Sequence, residues 1–138
     1  MAKGSIRILV VDDFEPWRRF ACSTVQQRPE LEVVAEVSDG LEAIRKAQEL
    51  QPDLILLDIG IPTLNGIEAA RRIRELSPKS KVLFVSENRS RNMVEAAFRT
   101  GALGYVVKSD AKSELLTAIH AVVRGEQFLS KGVAVAQR

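Results

Sequence analysis

Short, nearly unbroken aliphatic runs alternate along the chain with segments whose apolar residues recur every three or four positions. The runs are IRILVV (Ile6 to Val11), LEVVAEV (Leu31 to Val37), LILL within DLILLDIGIP (Leu54 to Leu57), KVLFVS (Lys81 to Ser86) and LGYVVK (Leu103 to Lys108). Each is bounded by polar or turn residues, which predicts buried strands. Between them the spacing predicts helices. Trp17, Phe20, Ala21, Thr24 and Val25 form one stripe, opened by Pro16 and stopped by Pro29. Leu41, Ile44, Ala47 and Leu50 form the next, with Ser38 or Asp39 as cap and Pro52 as its end.

After a loop containing Pro62, Asn65 and Gly66, the residues Ile67, Ala70, Ile73 and Leu76 follow helical spacing up to the Ser77-Pro78 turn. Met93, Val94, Ala97 and Phe98 make a less regular face that ends at Gly101. The widest stripe is Leu115, Leu116, Ile119, Val122 and Val123, a helix from about Ser113 to Arg124 with Gly125 as its stop. Five strands alternating with amphipathic helices across short loops predict right-handed βαβ units, hence an α/β domain with a parallel sheet covered on both faces. No repeat or low-complexity stretch interrupts residues 1–125, which are read as one domain.

Composition narrows the class without changing the architecture. The 138 residues suffice for one domain with its own core, and 46% apolar content is ordinary for a globular protein. Twenty basic against 18 acidic residues leave a formal +2, too little for a field that would draw nucleic acid. No apolar run reaches the roughly 20 residues of a membrane span, and MAKGSIRILVV lacks the features of a signal peptide, so a cytoplasmic location away from the membrane is expected. One cysteine, Cys22, and one histidine, His120, supply neither an internal disulfide nor a zinc cluster; both are assigned to packing or surface. Arg71, Arg72 and Arg74 read as a solvated helix face.

Chemistry concentrates where the strands end. In an open parallel sheet, sites form outside the carboxyl ends of the strands. Asp12 and Asp13 follow the first run, Asp58 the third, while Ser86 ends the fourth and Lys108 the fifth. Three carboxylates brought together repel one another unless a cation lies among them. Magnesium fits such a set, because it takes oxygen ligands and retains waters; the Gly60 carbonyl, two residues past Asp58, is near enough to join. A hydroxyl and an ammonium beside a metal suit phosphoryl oxygens, so the set reads as a phosphoryl-transfer site with Asp58 as nucleophile.

The segments VVDDFEPW, DLILLDIGIP, VSEN and GYVVKSDA, at these spacings, resemble the signature regions of response-regulator receiver domains of bacterial two-component systems. The end, SDAKSELLTAIHAVVRGEQFLS, is similar to receivers of the NarL/FixJ-like subfamily. The resemblance implies a flavodoxin-like (CheY-like) doubly wound five-stranded parallel sheet, (βα)5. It implies that Asp58 accepts a phosphoryl group from a sensor histidine kinase. Asp13 would hold Mg2+ (or Mn2+) directly and Asp12 through water, with Asp58 and the Gly60 carbonyl completing the protein ligands. Ser86 and Lys108 would each bind a phosphoryl oxygen, and Tyr105 matches an aromatic switch position whose ring turns inward when the Ser86 loop is drawn in.

The resemblance further implies a phosphoacceptor that promotes its own phosphotransfer and dephosphorylation, not a conventional turnover enzyme. Its output would be a changed surface controlling a homodimer or transcription, with DNA reached only through an effector domain absent from this chain. Residues 126–138 resemble the start of a linker to such a domain. Three positions depart from the family pattern: Glu87 where a small residue is common, Phe14 where polar residues are frequent, and Gly60 where a side chain often overhangs the acceptor. They keep open a second reading, a phosphorylation-independent receiver-like interaction module. A metal-dependent hydrolase is disfavoured, since DIG offers no acid two residues beyond Asp58.

Overall fold

The computed structural model describes residues 5–136. Strands β1 (Ile6–Val11), β2 (Leu31–Val37), β3 (Leu54–Leu57), β4 (Lys81–Ser86) and β5 (Gly104–Val107) pair in parallel. They alternate with helices α1 (Glu15–Gln26), α2 (Gly40–Leu50), α3 (Gly66–Leu76), α4 (Arg91–Arg99) and α5 (Ala111–Val123). Beyond the five expected strands lies a sixth, β6 (Phe128–Leu129), so the sheet order is β2-β1-β3-β4-β5-β6. A short helix, α6 (Lys131–Ala136), follows it.

Alternation along each strand sorts the sheet's two faces. Leu9, Val11, Ile55, Leu57, Phe84, Tyr105 and Val107 pack against α2, α3 and α4 through Ala43, Ala47, Ala70, Ile73, Val94 and Ala97. Ile8, Val10, Leu54, Leu56, Leu83, Val85 and Val106 face α1 and α5 through Ala21, Val25, Leu115, Ala118, Ile119 and Val122. All four β3 residues are buried because helices cover both faces there. The chain turns to β2 on one side of β1 and returns to β3 on the other, which puts the switch point of strand order between β1 and β3.

Two expectations are corrected. The fifth strand stops at Val107, and Lys108 opens a tight 3-10 turn, Lys108–Asp110, that leads straight into α5. Leu41 is 53% exposed instead of buried; α2 presents the small residues Gly40, Ala43 and Ala47 to the core. Its first turn lies so near Leu64 that a Cβ at Gly40 would meet the Leu64 backbone. Close approach selects small side chains, and the larger Leu41 turns outward.

The segment read as linker-like is packed onto the β5 edge. Phe128 N donates to Leu103 O (3.0 Å) and Ser130 N to Tyr105 O (3.0 Å), continuing the parallel ladder. Ser130 is fully buried: its Oγ accepts from Val107 N (2.8 Å) and donates to Glu114 Oε1 (2.6 Å). Val133 joins the core beside Tyr105 and Val107. A two-residue strand carries no readable period, which is why the hydrophobic pattern did not announce it.

Candidate functional site

The carboxyl ends of β1 and β3, on either side of the switch point, bring Asp12, Asp13 and Asp58 together. One oxygen from each lies within 4.8 Å of the others. Backbone bonds lock these ends: Asp12 N donates to Val37 O and Asp58 N to Val11 O, each at 3.1 Å. Asp12 is completely buried, Asp58 nearly so, and Asp13 exposed. Phe14 N donates to Asp12 Oδ1 (2.8 Å) and Ile59 N to Asp58 Oδ1 (2.9 Å), which orients both carboxylates.

Lys108 reaches in from the turn after β5. Its Nζ lies 2.6 Å from Asp12 Oδ2 and 3.9 Å from Asp58 Oδ2. Burial and, next, the Asp12 charge push the Asp58 carboxyl up to about 6 from 3.8, against the pull of Lys108 and the Ile59 amide; Asp13 adds to the rise. Burial, together with two like charges, thus outweighs the single ammonium.

Ser86 ends β4 and is buried at the rim, its Oγ accepting from Asn88 N at 3.1 Å. Tyr105 is also buried, and its hydroxyl donates to Asn88 O at 2.6 Å. Burial raises the Tyr105 phenol above its ordinary value. A cavity of about 490 Å³ is lined by the three aspartates, Gly60, Ser86, Lys108 and, at its mouth, Phe14 and Glu87. Phe14 is 60% exposed and Glu87 is exposed. Every site residue singled out in the sequence therefore lies at this end of the sheet, Tyr105 beneath the loop and the others on the cavity wall.

The donor set fits a hard divalent cation. Three carboxylates against one ammonium leave a formal charge of −2, and the ligand atoms that converge there are carboxylate oxygens. Asp12 Oδ2 is buried without a directed hydrogen bond despite its ion pair with Lys108. Gly60 leaves open space on the wall, for a Cβ there would meet nothing within 4 Å. Cys22 and His120 stand apart from this site. Cys22 is a buried thiol pushed up to about 11, chiefly by burial, and His120 pairs with Glu30 at 2.9 Å.

Sequence reasoning missed two neighbours. Trp17, read only as part of the α1 stripe, presents its ring to Lys108 Nζ at 5.2 Å from the centroid. Asn88 anchors Tyr105 through its backbone carbonyl, a role that side-chain identity does not encode. The signal for Trp17 was topological: α1 and α5 share a face of the sheet, so the start of α1 lies beside the turn after β5.

Comparison with known proteins agrees with this geometry. The model of the response regulator receiver domain matches residues 8–120. The chain is 41% identical over 129 residues to the transcriptional regulatory protein LiaR of Bacillus subtilis (strain 168), covering 94% of this chain and 61% of that protein. It is 35% identical to the nitrate/nitrite response regulator protein NarL of Escherichia coli (strain K12), covering 91% of this chain and 58% of that one. The chain thus spans about three fifths of the length of these relatives. A two-component response regulator of the LuxR family from Aurantimonas sp. SI85-9A1 superposes with a TM-score of 0.90 at 35% identity, covering 94% of this chain and 93% of that one. Among the described residues no helix is long and apolar enough to cross a membrane. The strand-end aspartates, the sheet order and the match over residues 8–120 lead to one assignment: the chain belongs to the response-regulator receiver domain family, among relatives of the LuxR/NarL type.

Proposed function

We propose that the chain is a phosphorylation-operated signalling switch in which Asp58 takes a phosphoryl group from the phosphohistidine of a sensor histidine kinase. The observation that carries this reading is the convergence of Asp12, Asp13 and Asp58 within 4.8 Å, with Lys108 beside them. An Asp58 carboxylate oxygen bonds to phosphorus as the P–N bond breaks, and the histidine nitrogen keeps the electron pair of that bond. No general base is needed, since the attacking group is already a carboxylate.

Asp12, Asp13, Asp58 and the Gly60 carbonyl would hold Mg2+ or Mn2+, which when bound supplies the positive charge that lets carboxylates and phosphoryl oxygens share the cavity. Lys108 gives an N–H to one phosphoryl oxygen and Ser86 its hydroxyl to another. Drawing Ser86 inward pulls the loop that Asn88 ties to Tyr105, and so acts on the α4, β5 and α5 surface. That surface would control homodimerisation or a transcriptional output in the cytoplasm. DNA would be reached through a further domain joined by the segment 126–138.

Phosphate-affinity electrophoresis with magnesium and a phosphodonor tests this. A retarded band is expected for the native chain and none for Asp58→Asn. A native chain that is never retarded would support the second reading, a phosphorylation-independent interaction module, which Phe14 and Glu87 at the cavity mouth keep in view.

A further inference from the structure

We propose that Trp17 is a positioning residue for Lys108, its indole face holding the ammonium at the edge of the acidic cavity so that N–H donors remain available for an incoming phosphoryl group. The inference rests on the reading of Asp58 as phosphoacceptor. Lysine carries its charge on a flexible four-carbon stem, and a side chain at the start of a 3-10 turn gains no rigidity from a strand ladder. Something must fix where the ammonium sits. Asp12 contributes at 2.6 Å, and the Trp17 ring adds to it, with Nζ 5.2 Å from its centroid.

The two contacts differ in kind. A carboxylate attracts an ammonium by opposite charge, neutralises it and competes for its N–H donors. An aromatic face attracts it through the ring quadrupole and need not consume a donor in that way. The attraction between Lys108 and Asp58 is the weaker of its two ion pairs, at 3.9 Å, and leaves the ammonium loosely held on that side. The indole adds a further contact that holds the ammonium where both aspartates are within reach. Trp17 is itself held: Pro16 fixes the first turn of α1, and Phe20 packs on the indole with centroids 5.0 Å apart at 41°. Trp17, Phe20 and Lys108 line a groove of about 600 Å³ that adjoins the acidic cavity, with Phe14, Glu87 and Lys108 common to both.

Trp17 is the only tryptophan in the chain, so biosynthetic incorporation of mono-, di- and trifluorinated tryptophan weakens this one quadrupole while keeping ring shape. Beryllofluoride with magnesium is the phosphoryl probe, and its affinity is read by titration for each protein and for Trp17→Phe and Trp17→Leu. Affinity is expected to fall stepwise with fluorine number. Trp17→Leu should bind about two- to tenfold more weakly than the native chain, and Trp17→Phe should lie between them. A flat fluorination series, or Trp17→Leu binding as the native chain does, overturns the proposal. If the native chain itself fails to bind beryllofluoride, the acceptor reading falls instead. The ring-current shift of the Lys108 ε-methylene protons in ligand-free protein then decides separately: its presence in the native chain and loss in Trp17→Leu upholds the hold on Lys108, and its absence from the native chain overturns it.

Discussion

The Tyr105 hydroxyl donates to the Asn88 carbonyl oxygen at 2.6 Å while its ring lies fully buried. This joins β5 to the loop after β4 and fixes the ring in the core. The hydroxyl thus couples the buried strand to the loop that carries Glu87 and Asn88. Tyr105→Phe keeps the ring and removes the tie. It should lower stability by about 0.5–1.5 kcal/mol in urea unfolding. An unchanged midpoint would mean that the hydroxyl contributes nothing to holding the loop.

Asp58 has a folded-state value near 6, above its ordinary 3.8. The folded chain therefore binds this proton more tightly than the unfolded chain. Its contribution to stability is full below pH 3.8 and is lost as pH rises through 6, the opposite of a salt-bridged carboxylate. Without divalent metal, Asp58→Asn should be more stable than the native chain at pH 7 by about 1–3 kcal/mol, with the gap closing towards pH 4. Paired thermal or urea unfolding across that range, with chelator present, measures it. A gap that stays constant with pH would rule out Asp58 as the strained group.

Glu87 is exposed at the cavity mouth, one residue beyond Ser86. An anionic donor approaching Asp58 passes this carboxylate. Glu87→Ala should phosphorylate faster with acetyl phosphate, by about two- to fivefold at low salt, and the advantage should shrink as salt screens the charge. Equal initial rates for the two proteins would show that Glu87 does not meet the donor.

Gly66 opens α3 against the strand that delivers the acceptor: its N–H donates to Ile59 O at 2.8 Å. A Cβ there would collide with the Asp58 carbonyl oxygen and lie 2.8 Å from the Ile59 Cα. Backbone cannot yield as a flexible side chain can. Gly66→Ala should cost about 1–3 kcal/mol and weaken beryllofluoride binding as well, because the displaced backbone is that of Asp58 and Ile59. Gly60→Ala is the control, since open space surrounds that position; stability within about 0.5 kcal/mol of the native chain is expected there.

The order of elements was legible because β3 and its neighbours are continuous aliphatic runs, and helices such as α3 keep a clear apolar stripe. The site was legible for a related reason. A parallel sheet places its strand ends on one edge, so Asp12, Asp58, Ser86 and Lys108, read off one after another, had to be neighbours. What stayed hidden depends on close approach and backbone groups. Leu41 turns outward because α2 presents Gly40, Ala43 and Ala47 to its neighbours. Asn88 matters through its carbonyl, and Trp17 through a partner on another element, neither of which a stripe of apolar positions records.

Ser130 gives the last part of the chain a mechanical meaning. Its hydroxyl holds the Val107 amide, the residue immediately before Lys108, and its own amide holds the Tyr105 carbonyl. Cutting the chain after Gly125, at the end of the last predicted helix, would strip from β5 the two hydrogen bonds of Ser130, to Tyr105 and Val107, and from Leu103 that of Phe128, and would uncover the edge next to the lysine and the aromatic residue of the site. Ser130 is thus a fastener on the strand that leads to Lys108, and tension applied to it would arrive within one peptide bond of the chemistry.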